Sequence, residues 1–578
     1  MDSSRRNLLF ALAGYLGLTA LWFLPVLPYL GHALIGPAED NMLLYWNLWW
    51  GNEALRDPAL SLFHTRHLFH PGGHSLWLHS LSLSNVALSL PLHAVLPLPL
   101  VYNLLMLSSF PVGGLGAYLL ARRFLRRDGA AFLAGFVFAF NPFHFAHSLH
   151  HLDVSSIQYL PFAVLFYLRC REAPRLRNVL LAALFVVAAT LSSFYFLPQL
   201  MLFVLADVVF RSVAARRVDR AGLRAAILAG GLAVLLLSPL LVMMAREFLA
   251  NADRMGTVGP DPSRWFVADL ALFVLPNTYS PFWGSPETMS PRPFTGNSWE
   301  IAVFLGWLNL AAAGLALWKR PRESAWLGGM LILFLVLSLG AELHVLGEAV
   351  GPPILPWRLL DQIPVLNLGR VPSRMLVMGH LFLGILAARG LEVALLDLPR
   401  PGSWLAGGRG RAWAVAAVGA VSLVEFLGVA DVCTPVHAPR VYDQIPREEG
   451  TALLNLPMDS YKFDALYMMH QTLHGIPLGD GRVSRVTDHG VRGAMAQARP
   501  EEAPEILRRY QIRWLVVHRV FYQVSPEPFL DTQFTRVWSD DTHVLYRVDD
   551  AARVTPGAPG GPAASAAPRA PAGDPAQP

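Results

Sequence analysis

The stretch Gly36–Gly51, GPAEDNMLLYWNLWWG, decides how the rest of the chain is read. It follows an apolar run and opens on an adjacent acidic pair, Glu39 and Asp40. Tyr45, Trp46, Trp49 and Trp50 crowd in behind the pair, with Asn41 and Asn47 among them. A carboxylate placed where an apolar span meets water is costly, and such groups usually carry function. The plain alternative is an aromatic belt that sets the tryptophans at headgroup level. The expectation adopted is a catalytic carboxylate at the membrane face, and the remaining sequence tests it.

Composition supports a membrane setting. The chain has 578 residues, of which 54% are hydrophobic and only 15% charged, and its mean hydropathy is +0.40. Soluble domains carry ~25% charged residues. Arg5 and Arg6 precede the first apolar run and no small-residue cleavage site follows it, so that run reads as a retained helix. The net charge of +5 is almost all arginine, Lys319 and Lys462 being the only lysines. No folded basic stripe for nucleic acid is visible. Cys170 and Cys433 are expected on opposite sides of the membrane, without a structural disulfide.

Spans of ~20 apolar residues are expected at about 7–29, 100–121, 129–146, 157–169, 177–193, 195–210, 225–245, 300–318, 325–345, 373–395 and 412–431. The segment 81–98 is apolar but broken by Pro91 and Pro97, with Pro99 just beyond. If it crossed, the cluster Arg122, Arg123, Arg126 and Arg127 would face outward, against the bias of arginine toward the cytoplasm. Read as interfacial, it puts that cluster inside, together with the arginines around 169–177, 211–224, 320–322 and 400–411. The fold class expected is mainly α: a polytopic membrane protein of about eleven transmembrane helices with a small C-terminal extracytoplasmic α/β domain. The expected division is a membrane domain, 1–435, with a long first outer loop at 31–98; an α/β domain, 436–550, with strand-like runs at Ala452–Leu456, Trp514–Val517 and His543–Arg547 and a helix at Glu501–Tyr510; and an Ala/Pro/Gly tail, 551–578, too poor in apolar side chains to build a core.

Four outer segments hold the candidate site residues. The first loop carries Glu39, Asp40 and a histidine series that includes His70 beside Pro71. The second carries His144, His147, His150, His151 and Asp153, with His147 and His151 spaced to share a face if the helix continues. Imidazole and carboxylate together suit a divalent ion, so Asp40, Asp153, His147 and His151 are candidate metal ligands; a hydrogen-bonded or substrate-binding cluster is the competing reading. The third, 246–299, carries Arg254 and Arg264 among aromatic residues. Guanidinium forks match phosphate. The fourth is GRVPSRM, residues 369–375, with Arg370 and Arg374 flanking Pro372. These two either snorkel to headgroups or bind a lipid-linked phosphate.

A first span, a long outer loop opening on an acid, a second acid in the next outer loop and a C-terminal outer domain together resemble the GT-C superfamily of membrane glycosyltransferases. Within it the chain is similar to bacterial relatives of the protein O-mannosyltransferase and aminoarabinose-transferase group. Glu39-Asp40, His70-Pro71 and His150-His151-Leu152-Asp153 carry the likeness. The resemblance implies a polyprenyl-phosphate sugar as donor and a glycan, lipid or protein as acceptor. It implies a catalytic base at Asp40 or Glu39, and metal or substrate binding at Asp153. It places the chain in the bacterial inner membrane, multi-pass, with the C-terminal domain outside. No clear DxD or WWD motif is present, which argues against an oligosaccharyltransferase. The expected function is therefore sugar transfer at the outer face, with His150, His151, His70, Arg254, Arg264, Arg370 and Arg374 contacting substrate. The rivals are a transporter or flippase of lipid-linked glycans and a non-catalytic membrane scaffold; no internal repeat of the transporter kind is seen.

Overall fold

The structure is a computed structural model that describes residues 3–251, 262–276, 279–283, 293–351, 355–360, 362–363, 370–397, 407–448, 450–458, 461–485 and 489–549. Arg254 and the expected tail at 551–578 lie outside the described residues. The chain is mainly helical and divides into two compact units. One comprises Met1–Pro37, Ser82–Val242 and Thr257–Thr434; the other comprises Ala38–Leu81, Met243–Gly256 and Pro435–Pro578.

The first unit is a helical bundle. Among the described residues, four helices are long and apolar enough to cross a membrane: Leu98–Ala121, Phe196–Ala215, Arg220–Asn251 and Pro372–Asp397. A fifth span is formed if Asp128–Ala139 and Pro142–Ser148 count as one, bent by 47° at the Asn141-Pro142 step. The count of about eleven expected from sequence is not reached by this test of length and composition. Breaks in the chain shorten several apolar runs: Trp307–Lys319 has 13 residues and Tyr159–Glu172 has 14. At 1.5 Å per residue such helices rise only ~20 Å. Leu83–His93, within the segment read as interfacial, has 11 residues.

Burial sorts the long helices. Pro372–Asp397 is 89% buried over its apolar window, whereas Arg220–Asn251 is only 22% buried. The first is the centre of the bundle, packed by Leu376, Leu381, Phe382 and Ile385. The second turns Ile227, Val234, Leu235 and Leu249 outward, which suits lipid and not water.

Near the start of the unit, buried Asn103 holds the chain just before Gly36. Its side chain accepts from the Ile35 amide at 3.0 Å and donates to the Leu30 and Ala33 carbonyls at 2.9 and 2.7 Å. Gly36 itself has φ +94°, and a Cβ there would overlap the Leu149 carbonyl. Only glycine fits that turn.

The second unit holds a four-stranded sheet. Its strands are β1 (Leu453–Leu456), β2 (Trp514–His518), β3 (Thr535–Ser539) and β4 (His543–Arg547), in the order β1-β2-β4-β3. β1 and β2 run parallel, and the remaining pairs are antiparallel. β2 is buried at every position, as a central strand of β-branched and aromatic residues should be. The first outer loop, from Ala38 on, groups with this sheet. Its helix Asp40–Arg56 packs along the helix Tyr461–His474 that follows β1. Trp46 and Trp50 are fully buried and stack with ring centroids 5.9 Å apart. The Trp46 indole donates to Gln471 Oε1 at 2.8 Å. These two rings are core residues of a folded unit, and the aromatic-belt reading does not describe them.

Candidate active site

Asp40 opens the helix Asp40–Arg56, and Glu39 is its N-cap. A carboxylate in the first turn faces the positive end of the helix dipole. The Asn41 side chain accepts the Glu39 amide at 3.1 Å, tightening the entry. Arg482 Nη2 lies 2.5 Å from Asp40 Oδ1. The two side chains keep 25% (Asp40) and 22% (Arg482) of their surface exposed, so the pair is reachable from outside. A charge-assisted bond of this kind fixes a carboxylate's orientation as well as its charge.

The segment presenting Arg482 is itself anchored. Asp480 accepts the Gly481 amide at 2.8 Å and pairs with Arg492 at 2.5 Å, while Arg492 also pairs with Asp464 at 2.5 Å. Burial pushes the Asp464 carboxyl up to about 6, with Arg492 pulling against it. Two turns along the same helix as Asp40, Asn47 Oδ1 is 2.8 Å from His79 Nε2. The Ser484 amide donates to His79 Nδ1 at 3.0 Å, so His79 carries its proton on Nε2. Burial holds this imidazole down at about 3, helped by His74 and Arg482. His70 is half-buried, its amide donates to the Leu478 carbonyl at 3.0 Å, and burial lowers its pKa.

The second-loop residues lie in the helical unit. The helix Pro142–Ser148 stops before His151, so His147 and His151 do not share one continuous helix. Their rings nevertheless stand 5.5 Å apart, because the His151 amide still bonds the His147 carbonyl at 2.7 Å. His144 is a structural histidine: Nδ1 meets the Ala139 carbonyl at 2.5 Å, and Nε2 meets Ser109 Oγ and the Ser155 carbonyl at 3.0 and 2.9 Å. His150 packs on Trp299 with centroids 4.1 Å apart, and its Nε2 is 3.4 Å from Tyr279 Oη. Asp153 is buried at 5% exposure.

Beside them sits a buried ion pair that the sequence reading did not assign. Arg374 donates through Nε and Nη2 to Glu300 Oε1 at 2.9 and 2.7 Å. Ser373 Oγ donates to Glu300 Oε2, and His147 Nε2 lies 3.3 Å from Glu300 Oε1. The Arg374 guanidinium also covers the Tyr195 ring at 4.3 Å. Arg374 is thus buried and paired, and the snorkelling alternative does not hold for it. Arg264 pairs with Glu342 at 3.1 Å and stays 58% exposed. Arg370 is half-buried. Glu300 and Arg482 both escaped assignment; an arginine between glycine-rich turns, GDGRVSR, was the available signal for the second. Asp40 and Asp153 belong to different units.

The residues fit a metal ion poorly. Among the described residues, no group of three or more His, Cys, Asp or Glu side chains is arranged to hold one. His147 meets the Phe143 carbonyl through Nδ1 at 2.9 Å and Glu300 through Nε2, so both ring nitrogens face protein oxygens rather than a cation. Asp40 Oδ1 faces a guanidinium.

Residues 53–361, more than half of the chain, match the family model described as a domain of unknown function, DUF6311. The chain belongs to the DUF6311 family. No curated protein sequence matches it. Solved structures similar to this DUF6311 chain include the apo oligosaccharyltransferase of Archaeoglobus fulgidus, with TM-score 0.56, 12% identity, and 88% of this chain and 69% of that chain covered. The mycobacterial arabinofuranosyltransferase AftD gives TM-score 0.57 and 17% identity, covering 96% of this chain and 42% of that one. ArnT from Cupriavidus metallidurans, bound to undecaprenyl phosphate, gives TM-score 0.51 and 12% identity over 93% and 98%. These are GT-C glycosyltransferases, and this DUF6311 chain has their fold.

Proposed function

We propose that this chain is an integral membrane glycosyltransferase. It moves a sugar from a polyprenyl-phosphate-linked donor to an acceptor hydroxyl at the outer face of the bacterial inner membrane, with the C-terminal domain outside. The observation that carries the reading is Asp40: a reachable carboxylate, held by an arginine, at the mouth of the first loop of a chain with the GT-C fold. The similar ArnT structure holds undecaprenyl phosphate, which supports a lipid phosphate as the leaving group here.

In the reaction the acceptor oxygen attacks the anomeric carbon and its proton passes to Asp40. The bond from that carbon to the phosphate oxygen breaks, and the polyprenyl phosphate leaves with the electron pair. Direct displacement inverts the anomeric centre. The leaving phosphate gains charge and needs cationic partners; Arg254, Arg264, Arg370 and Arg374 are proposed for that role, and His70, His150, His151 and Asp153 for substrate contact. No step runs through a metal ion.

The test is transfer by purified protein in proteoliposomes, with a panel of labelled undecaprenyl-phosphoryl sugars and a membrane extract as acceptor. Asp40→Asn keeps the shape and cannot take the proton, so turnover should fall by ~10²–10⁴-fold with the protein still inserted. Glu39→Gln should retain most of it. Normal turnover in both variants would remove the reading, and loss in the Glu39 variant alone would move the base by one residue.

A further inference from the structure

We infer that Arg482, contributed by the C-terminal part of the chain, is the positioning residue of the Asp40 carboxylate. This rests on the proposed role of Asp40 as base. Three observations within one compact unit carry it. The first is the bond itself: Arg482 Nη2 sits 2.5 Å from Asp40 Oδ1, on a pair still partly open to solvent.

The second is how rigidly the arginine is presented. The turn Asp480–Arg482 is pinned on one side by the Asp480–Arg492–Asp464 charge chain, whose Asp464 and Asp480 are both buried. It is pinned on the other side at Ser484, whose hydroxyl accepts the Ser80 amide at 3.2 Å and whose amide donates to His79. His79 in turn is fastened to Asn47. Asn47 lies seven residues after Asp40, which returns to the same face of the helix after two turns. Helix, loop and C-terminal turn therefore meet along one line, with the Asp40–Arg482 bond at its solvent end.

The third is the chemistry. A carboxylate on a first helical turn has several staggered rotamers open to it. A base acting on a bound hydroxyl must hold one of them, because a misplacement of ~1 Å costs ~10²-fold. The C-terminal domain so acquires a function: it completes the first-loop site.

The experiment compares Arg482→Gln, Arg482→Lys and the exposed control Arg499→Gln, whose side chain is 81% exposed, in the undecaprenyl-phosphoryl sugar assay. Arg482→Gln should lower kcat by about tenfold or more while leaving the donor KM within about threefold. Arg482→Lys keeps a cation and should recover part of the loss. The Arg499 variant should match wild type. A kcat within about twofold of wild type in Arg482→Gln, or a loss confined to donor KM, overturns the inference. A substrate-free arm separates this from the function itself. In thermal unfolding, Asp40→Asn and Arg482→Gln should be non-additive in a double-mutant cycle, and additive shifts overturn the pairing. Full activity in Asp40→Asn sinks the base reading while the cycle still decides the pair. If wild type transfers nothing from any donor, the proposed function fails and the cycle again decides the pair alone.

Discussion

At the scale of single residues, Arg374 shows why a charge cannot be deleted to learn its function without removing its partner as well. The sequence offered it as a phosphate ligand, and the structure gives its guanidinium to Glu300 in a pair where the carboxylate side chain is 2% exposed. Removing one member of a buried pair strands the other, at ~3–5 kcal/mol. Arg374→Ala should therefore destabilise the protein strongly, and Glu300→Gln in the same background should restore much of the loss. If donor use stays ~10–100-fold down in that stabilised double variant, Arg374 binds the donor phosphate. If donor use returns, its work is structural. Arg370→Ala is the simpler probe, since Arg370 is half-buried and the same loss in donor efficiency is expected with little change in stability.

At the scale of elements, the C-terminal sheet carries a chain of buried imidazoles. His518 ends β2, His543 begins β4 and His470 sits on the helix Tyr461–His474. His543 Nε2 is 3.1 Å from His518 Nδ1, His518 Nε2 is 3.1 Å from Asn455 Oδ1, and Tyr442 donates to that same Asn455 oxygen at 2.8 Å. His474 stacks on Tyr442 at 4.4 Å. Burial holds His470 and His474 down at about 3, and it lowers His518 well below the usual value of 6.5. The folded histidines therefore stay neutral while the unfolded ones charge below pH ~6.5. The stability associated with them is complete above that pH and is lost as pH falls toward 3, by up to ~1.4 kcal/mol per pH unit for each group. Asp464, raised to about 6, works the other way between its unfolded value near ~4 and 6, because there the folded form holds the extra proton. Three histidines outweigh it. Limited proteolysis of the full protein should cut the C-terminal sheet faster at pH 5 than at pH 7.5, and His518→Asn should flatten the difference. Equal rates at the two pH values would contradict this account.

At the scale of the whole molecule, the open question is which end of each helix meets the cytoplasm. Leu83–His93 has 11 residues, a rise of ~16 Å against a hydrocarbon core of ~30 Å. Pro91 interrupts its amide ladder as well. A segment that short is expected not to cross, which would put the arginines at 122–127 on the cytoplasmic side, as their charge favours. A cysteine in place of Arg126, in a protein with Cys170 and Cys433 changed to serine, should resist an impermeant thiol reagent on intact cells and react after permeabilisation. Labelling of intact cells would reverse the assignment of every later loop.

The sequence by itself determined that the chain carries apolar runs long enough to cross a membrane, and where three of the four sheet strands run; β3, Thr535–Ser539, was not among them. Each of those is a local property: the length of an apolar run, or the composition of a short segment. The strands expected at Ala452–Leu456, Trp514–Val517 and His543–Arg547 correspond to β1, β2 and β4 within a residue of their observed ends, because short apolar runs between polar and turn residues leave few other options. Only the tertiary structure decided what each polar group faces. Trp46 reads as a headgroup anchor until Gln471, 425 residues away, accepts its proton. Arg374 reads as a phosphate ligand until Glu300, 74 residues away, accepts from its Nε and Nη2. Asp40 has only the acidic Glu39 beside it as a charged neighbour in sequence, and Arg482 meets it within the unit where the helix Tyr461–His474 packs along its own. Span counting stopped short for a related reason: proline and glycine breaks, such as the 47° bend at Pro142, make a long apolar run into two short helices. Pairings made across hundreds of residues depend on how elements stack, and neither hydrophobic period nor turn chemistry encodes that arrangement at the positions that use it.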